Sequence, residues 1–348
     1  MLRSLLNRLF NRIWYKQSWP RYALMPLTWF YQAMIRLRRH AYERGWKPSN
    51  RYPLPVIVVG NITVGGSGKT PLVIWLVDFL RKAGFKPAII SRGYRGKASQ
   101  WPQQVRADSD PVVVGDEAVL LARRCHCPIA VGPNRSASVE ALLQHTDCNI
   151  IISDDGLQHY ALERDIEIAV VDSLRRYGNG CLLPAGPLRE PIERLKDVDF
   201  IVSNGIAERG EYAMSLRMHT ACNLETGEVR ELKTFTNGTV HAMAGIGNPK
   251  RFFSALHQQG LKLYEHAFAD HHDFKAKDLA FNNTAPVLMT EKDAVKCQRF
   301  AHSHYWYVPV EAELNKHFGP RLLAALESKA VKSAVTPSAT HSNTAGQA

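Results

Sequence analysis

The run Thr63-Val64-Gly65-Gly66-Ser67-Gly68-Lys69-Thr70 brings together the residue types that grip a chain of phosphates. Its three glycines let the backbone approach an anion, and successive N–H groups can cradle the oxygens. Lys69 is placed to reach the outer phosphates, and the Thr70 hydroxyl to ligate magnesium. The run lies between an apolar strand, residues 55–59, and an amphipathic segment carrying Leu72, Trp75, Leu76, Phe79 and Leu80. Strand, glycine-rich loop and helix is the context such a loop requires. The strict pattern begins with Gly where this chain has Thr63, and an ordinary Gly-rich turn is the competing reading. Gly-Lys-Thr at the helix start favours a nucleotide site.

Residues 149–155, Asn-Ile-Ile-Ile-Ser-Asp-Asp, read as a buried strand ending in two carboxylates. Beside a phosphate loop, such a strand offers an Asp to magnesium or its water shell. Adjacent like charges repel, so Asp154 and Asp155 are poor choices for a merely structural strand exit. Gly115-Asp116-Glu117 opens a predicted helix, where acids commonly just complement the helix dipole. The chemical alternative has one acid activating a nucleophile and the other aiding the metal. Arg135 begins another helix after Gly132-Pro133-Asn134. It fits either a surface position or a partner for charge developing on a transferred phosphoryl group. Arg189 and Glu190 follow an irregular Gly- and Pro-rich run, residues 178–187, of the kind that contacts substrate. Asp270-His271-His272-Asp273 lacks the further ligands of a zinc site. A histidine there with a carboxylate partner could reach across a cleft and deprotonate a hydroxyl.

Apolar runs at 86–91, 128–131, 149–153, 166–172 and 199–203, with helices predicted at 116–124 and 134–144, describe buried parallel strands in an α/β unit. Residues 51–215 are therefore expected to form one doubly wound parallel sheet domain, with ligands at the carboxyl ends of its strands. Residues 216–223 and 228–234 alternate around Thr226-Gly227, which predicts a two-stranded hairpin linker over 216–238. Strand-like 240–245, helical 249–259 and strand-like 287–290 predict a smaller second α/β domain over 239–330. From 331 to 348 the composition predicts a disordered tail.

The chain has 348 residues and a net charge of +12, but residues 1–51 hold eleven Lys and Arg against Glu43 alone. Leu2, Leu5, Leu6, Leu9, Phe10, Ile13 and Trp14 recur on one helical face, with Arg3, Arg8, Arg12 and Lys16 on the other. Residues 22–35 are uncharged and aromatic, yet shorter than the roughly 20 residues that span a bilayer. No small-residue cleavage site follows, so a signal peptide is not indicated. Residues 1–50 fit an in-plane membrane helix, a nucleic-acid arm or a helix packed on its own domain. The membrane reading explains both the apolar face and the charge. Six cysteines show neither a Cys-x-x-Cys pair nor zinc spacing, as in a reduced cytoplasmic protein.

These motifs, in this order, resemble the lipid A 4′-kinase family, the tetraacyldisaccharide 4′-kinases. The matching runs are Val59-Gly60-Asn61, Val64 to Pro71, Ser91-Arg92-Gly93-Tyr94, Gly115-Asp116-Glu117, Asp154-Asp155-Gly156-Leu157-Gln158-His159, Pro187-Leu188-Arg189-Glu190, Gly245-Ile246-Gly247-Asn248-Pro249 and Thr290-Glu291-Lys292-Asp293-Ala294. The family's loop also lacks the first Gly. The resemblance implies an enzyme peripheral to the cytoplasmic face of the bacterial inner membrane. It would move the γ-phosphate of ATP, with Mg2+, to the 4′-hydroxyl of an acylated glucosamine disaccharide 1-phosphate, giving lipid IVA. By the same resemblance Lys69 and Thr70 hold phosphates and metal, and Asp154, Asp155 and Glu117 serve the metal. Asp116 paired with His271 is the base, and Arg135, Arg189 and Glu190 line the transfer and substrate region. The partners implied are a glycolipid and an anionic membrane surface, with neither nucleic acid nor a protein partner. The rival readings are a membrane-peripheral nucleotide-hydrolysing switch and a non-catalytic adaptor. The switch is disfavoured by Val64, where such ATPases often carry a second lysine, and by the absence of an Asn-Lys-x-Asp run. The adaptor is disfavoured by the presence of Asp116, Asp154 and Asp155.

Overall fold

Val56, Ile57, Val58 and Val59 are apolar without interruption because the strand they form is buried on both faces. Ile57 and Val59 enter one core layer, Val56 and Val58 the opposite one. The computed structural model describes residues 10, 12–16, 19–281 and 284–335. Its first half runs α1 (Pro20–Glu43), β1 (Val56–Gly60), α2 (Lys69–Lys82), β2 (Pro87–Ser91), β3 (Gln103–Gln104), α3 (Pro111–Val114), α4 (Asp116–Cys125), β4 (Ile129–Val131), α5 (Arg135–His145), β5 (Ile150–Asp154), β6 (Ile166–Asp172), β7 (Phe200–Asn204) and β8 (Tyr212–Arg217). It continues through β9 (Thr220–Asn223), β10 (Val229–Glu231), β11 (Thr239–Ala244), α6 (Pro249–Gln258), β12 (Lys262–Ala267), α7 (Ala276–Leu279), β13 (Val287–Thr290), α8 (Glu291–Cys297), β14 (Tyr305–Val308), β15 (Glu311–Leu314) and α9 (Phe318–Val335).

Among the described residues the strands form two sheets. The larger has the order β15-β8-β7-β6-β1-β5-β2-β4-β3, parallel except at its two edge strands. Helices α2, α4 and α9 contribute to one core layer and α5 to the other, the doubly wound arrangement expected. Strand order reverses around β1, so the carboxyl ends of β1, β5, β6 and β7 converge where such folds bind ligands. The smaller sheet, β10-β9-β14-β13-β11-β12, has a parallel centre closed by antiparallel β9 and β10. Phe252, Phe253 and Leu256 of α6 cover one face, and Ala294 and Cys297 of α8 the other.

Three expectations change. The hairpin exists as β9 and β10, but it is an edge of the smaller sheet, hydrogen-bonded to β14, and not a free-standing linker. Leu216, expected to start it, belongs to β8 in the larger sheet. Nor does the second unit own everything to residue 330. After β14 the chain returns: β15 pairs with β8, and Phe318, Leu322 and Leu326 of α9 fill the first core. The physical reason is an unfilled apolar flank of α2, whose Trp75 and Phe79 stack at 4.8 Å with Phe318 against Trp75. The irregular tail expected from 331 is helical through Val335, and residues 336–348 lie outside the described residues. Of the predicted amphipathic helix over residues 2–16, positions up to 9 and position 11 also lie outside them, while residues 12–15 are helical.

Candidate active site

The phosphate loop leaves β1 through Asn61, whose fully buried amide braces the turn from within. Its Nδ2 donates to Thr63 Oγ1, Gly65 O and Ser67 Oγ at 3.2–3.4 Å, and its Oδ1 accepts from Lys69 Nζ at 3.3 Å. Gly65 and Gly68 hold φ of +109° and +97°, which an L side chain rarely adopts. Lys69 and Thr70 then open α2. The ammonium of Lys69 also lies 3.4 Å from Asp155 Oδ1.

Asp154 ends β5 beside the loop, paired in register with Val59. Its Oδ2 accepts from Ser91 Oγ at 3.3 Å, whereas Oδ1 is buried without a hydrogen-bond partner. Burial first, then Glu117 and Asp155, pushes its carboxyl up to about 6. Asp155 sits at φ +49° and behaves oppositely. Burial opposes its charge too, but Lys69 and Arg189 hold it at about 2. Arg189 Nη1 donates to both Asp155 oxygens at 3.0 and 3.2 Å. Arg135, N-terminal on α5 after the Asn134 cap, donates through Nη2 to the Asp154 carbonyl at 2.8 Å. Its Nη1 is buried without a partner, and desolvation lowers the guanidinium to about 10, still charged at neutral pH.

The second sheet delivers its own residues to this cluster. His271 Nδ1 lies 3.1 Å from Asp116 Oδ2, a contact spanning 155 positions. Burial alone would raise Asp116, yet the hydrogen bond from His271 and the charges of Lys292, His271 and Lys296 hold it at about 2. An ionised carboxylate only accepts, so His271 carries its proton on Nδ1 and neutral imidazole keeps its lone pair on Nε2. His271 stays at φ +57°, with its N–H on Gly245 O at 3.1 Å. His272 turns away to Asp278 at 3.0 Å.

Several residues found here had no assigned role in the sequence. Lys292 Nζ reaches Glu117 Oε1 at 2.8 Å and His271 Nε2 at 3.5 Å. Its neighbours in the same motif explain the rest of that run. Glu291 takes both contacts from Arg124 at 2.9 Å, while Asp293 accepts from Gly245 N at 2.8 Å and from Thr290 Oγ1 at 2.6 Å. Gln158 joins Asn61 O, 3.0 Å, to Glu190 Oε2, 2.7 Å. Glu190 is only 1% exposed and its other oxygen accepts from Tyr160. It therefore braces Gln158 from below and does not face the cleft. Glu117 is turned to Lys292, and Asp155 to Arg189 and Lys69. The candidate metal residue with an uncommitted buried oxygen is Asp154, and that orphan acceptor fits a hard cation. No closed group of three or more His, Cys, Asp or Glu ligands occurs among the described residues. Magnesium commonly takes one or two carboxylates together with substrate phosphates, so the donor set suits it.

Comparison with known proteins places the chain in a family. A family model described as tetraacyldisaccharide-1-P 4′-kinase matches residues 20–327. The tetraacyldisaccharide 4′-kinase of Nitrosococcus oceani is 54% identical over 326 residues, covering 94% of this chain and 96% of the relative. That of Aeromonas hydrophila is 50% identical over 307 residues, covering 87% and 92%. The structure is similar to that of LpxK from Aquifex aeolicus in complex with ATP. The TM-score is 0.75 and the sequence identity 27%, over 88% of this chain and 99% of the other. The chain belongs to the tetraacyldisaccharide 4′-kinase family.

Proposed function

We propose that this chain transfers the γ-phosphate of ATP to the 4′-hydroxyl of a tetraacylated glucosamine disaccharide 1-phosphate, giving lipid IVA. The observation that carries the reading is the Asp116–His271 pair, assembled from two sheets beside the phosphate loop. A phosphate loop alone serves hydrolysis as well as transfer. A carboxylate–imidazole pair with one oxygen already fixed by Glu117 N at 2.9 Å is a preorganised acceptor for a hydroxyl proton. As the sugar oxygen attacks phosphorus and the bond to ADP breaks, that proton passes to the pair. Lys69 offsets charge on the outer phosphates, and Arg135 lies behind Asp154 with an unused N–H. Thr70 and Asp154 would hold magnesium, with Glu117 and Asp155 in its surroundings. Bound there, the ion neutralises phosphate charge. Arg189 faces the cleft from the substrate loop, positioned by Asp155, while Glu190 acts through Gln158.

The same reading places the chain on the cytoplasmic face of the inner membrane. Tyr22, Leu27, Trp29, Phe30, Met34 and Leu37 of α1 are exposed, with Arg21, Arg36 and Arg38 along the same helix. No helix among the described residues is long and apolar enough to cross a membrane. Such a helix suits the interface plane, and its inner side holds the substrate loop: Tyr31 Oη donates to Arg189 O at 3.2 Å and Thr28 Oγ1 to Leu182 O at 3.4 Å.

The test gives purified protein in mild detergent Mg-ATP and the acylated disaccharide 1-phosphate, and follows the lipid by mass. One added phosphate on the distal sugar is the expected result, abolished by Lys69→Ala. ATP loss without a lipid product would point instead to a hydrolysing switch.

A further inference from the structure

The second sheet touches the phosphate loop by a route separate from the catalytic pair. Arg251, in the first turn of α6, crosses to the carboxyl ends of β6 and β7. Its Nη1 donates to Asp172 Oδ2 at 3.2 Å and its Nη2 to Asn204 Oδ1 at 2.7 Å. Asn204 is 2% exposed, and its Nδ2 donates to Ser67 O at 3.0 Å inside the loop. The contact leaves no slack, because a Cβ on Gly68 would sit 2.5 Å from that same nitrogen.

The chemistry gives this chain of contacts a direction. A guanidinium has donors only, so it takes the oxygen of the Asn204 amide and leaves the NH2 facing Ser67. Anchoring the Ser67 carbonyl also fixes the following N–H, since C=O and N–H point oppositely across a planar trans peptide. The Gly68 N–H is thereby aimed away from Asn204, toward the side on which loop amides receive phosphate oxygens. Asp172 is committed at both ends, its Oδ1 accepting from Leu174 N and Arg175 N at 3.0 and 3.1 Å. It therefore offers Arg251 a fixed seat.

We propose that Arg251 is a positioning residue for nucleotide binding, acting through Asn204 on the Ser67–Gly68 peptide, so that seating the second lobe sets the phosphate loop. The inference rests on the reading of residues 63–70 as the ATP site, and goes beyond it by making ATP affinity depend on a residue 182 positions away from Lys69.

Mg-ATP is titrated calorimetrically into the full chain without lipid, for the unaltered protein, Arg251→Ala, Arg251→Lys, Asn204→Ala and the double alanine variant. Each alanine variant is expected to weaken Mg-ATP about tenfold, the scale of a lost charged hydrogen bond. The double variant is expected to be no weaker than either single one, because both break the same chain. Arg251→Lys keeps a charge by Asp172 without the fork and should recover part of the affinity. In turnover the KM for ATP should rise more than kcat falls, and thermal unfolding of each variant reports whether it is folded. Undiminished Mg-ATP affinity in folded Arg251→Ala, or fully additive losses in the double variant, would overturn the proposal alone. Failure of the unaltered chain to bind Mg-ATP would overturn the ATP reading and the clamp together.

Discussion

Burial, with Glu117 and Asp155 nearby, pushes the Asp154 carboxyl from an ordinary 3.8 up to about 6. An acid raised on folding binds its proton more tightly in the folded chain, so ionising it costs stability as pH rises from about 4 through about 6. Without magnesium, Asp154→Asn should melt a few degrees above the unaltered protein at pH 8 and close to it at pH 4, while losing transfer. An equal gain at both pH values would show that the ionised carboxylate is not the cause. Lys292 makes the complementary case, a residue whose value lies in what it holds. Lys292→Ala frees Glu117 and leaves His271 Nε2 without its 3.5 Å neighbour. We expect kcat to fall about tenfold or more with the KM for ATP little changed, measured by steady-state assay at saturating lipid; a pure KM effect would make Lys292 a nucleotide contact. The acids and Lys69 were legible because their residue types and local spacing carry the chemistry. Lys292 was legible only as part of a motif. Asn204 and Arg251 gave no local signal, since each acquires its role from a partner tens of positions away.

At the scale of elements, strands buried on both faces announce themselves as apolar runs, and β1, β2, β4 to β7, β11 and β13 could be read that way. The edge strand β12 could not, because Lys262, Glu265 and the exposed Tyr264 interrupt any apolar run. Four-residue β15 alternates exposed Glu with half-buried Ala and Leu, too briefly to be distinguished from a turn. Alternation also found β9 and β10 without revealing their sheet, since periodicity fixes a strand's faces and not its neighbours. Helix α1 shows the converse: its outward aromatic residues were evident, but the inward anchors Thr28 and Tyr31 were not. The exposed face gives a direct expectation. Replacing Trp29 and Phe30, 62% and 73% exposed, with Ser should weaken binding to vesicles containing anionic lipid by about tenfold or more. Turnover of detergent-dispersed lipid should be largely retained. Unchanged vesicle sedimentation would show that this face serves something other than a bilayer.

Across the whole molecule, the two sheets are tied among the described residues by Arg124 to Glu291, Arg123 to Gln298, the Asp116–His271–Lys292–Glu117 cluster, and Arg251 to Asp172 and Asn204, with Val295 of α8 packed into the first core. Apart from Val295 these ties each involve a charged group, and such contacts can separate and re-form more readily than an extended apolar seam. A lipid kinase needs both states, open to admit a glycolipid and closed to keep water from the phosphoryl group. The covalent path makes the arrangement asymmetric, because the chain leaves the first sheet after β8 and returns to it as β15 and α9. The first lobe is therefore completed by residues that follow the second sheet in the chain. Phe318, fully buried, contacts Trp75, Phe200 and Tyr212 at ring separations of 5.3–5.6 Å. Phe318→Ala should cost about 3–5 kcal/mol, the scale of a core aromatic truncated to a cavity. The loss should appear in the first lobe: hydrogen exchange should accelerate in α2, β7 and β8 while β11 and β13 stay protected. Acceleration confined to β11–β14 would instead mean that α9 stabilises the second lobe, contrary to the return of the chain to the first core.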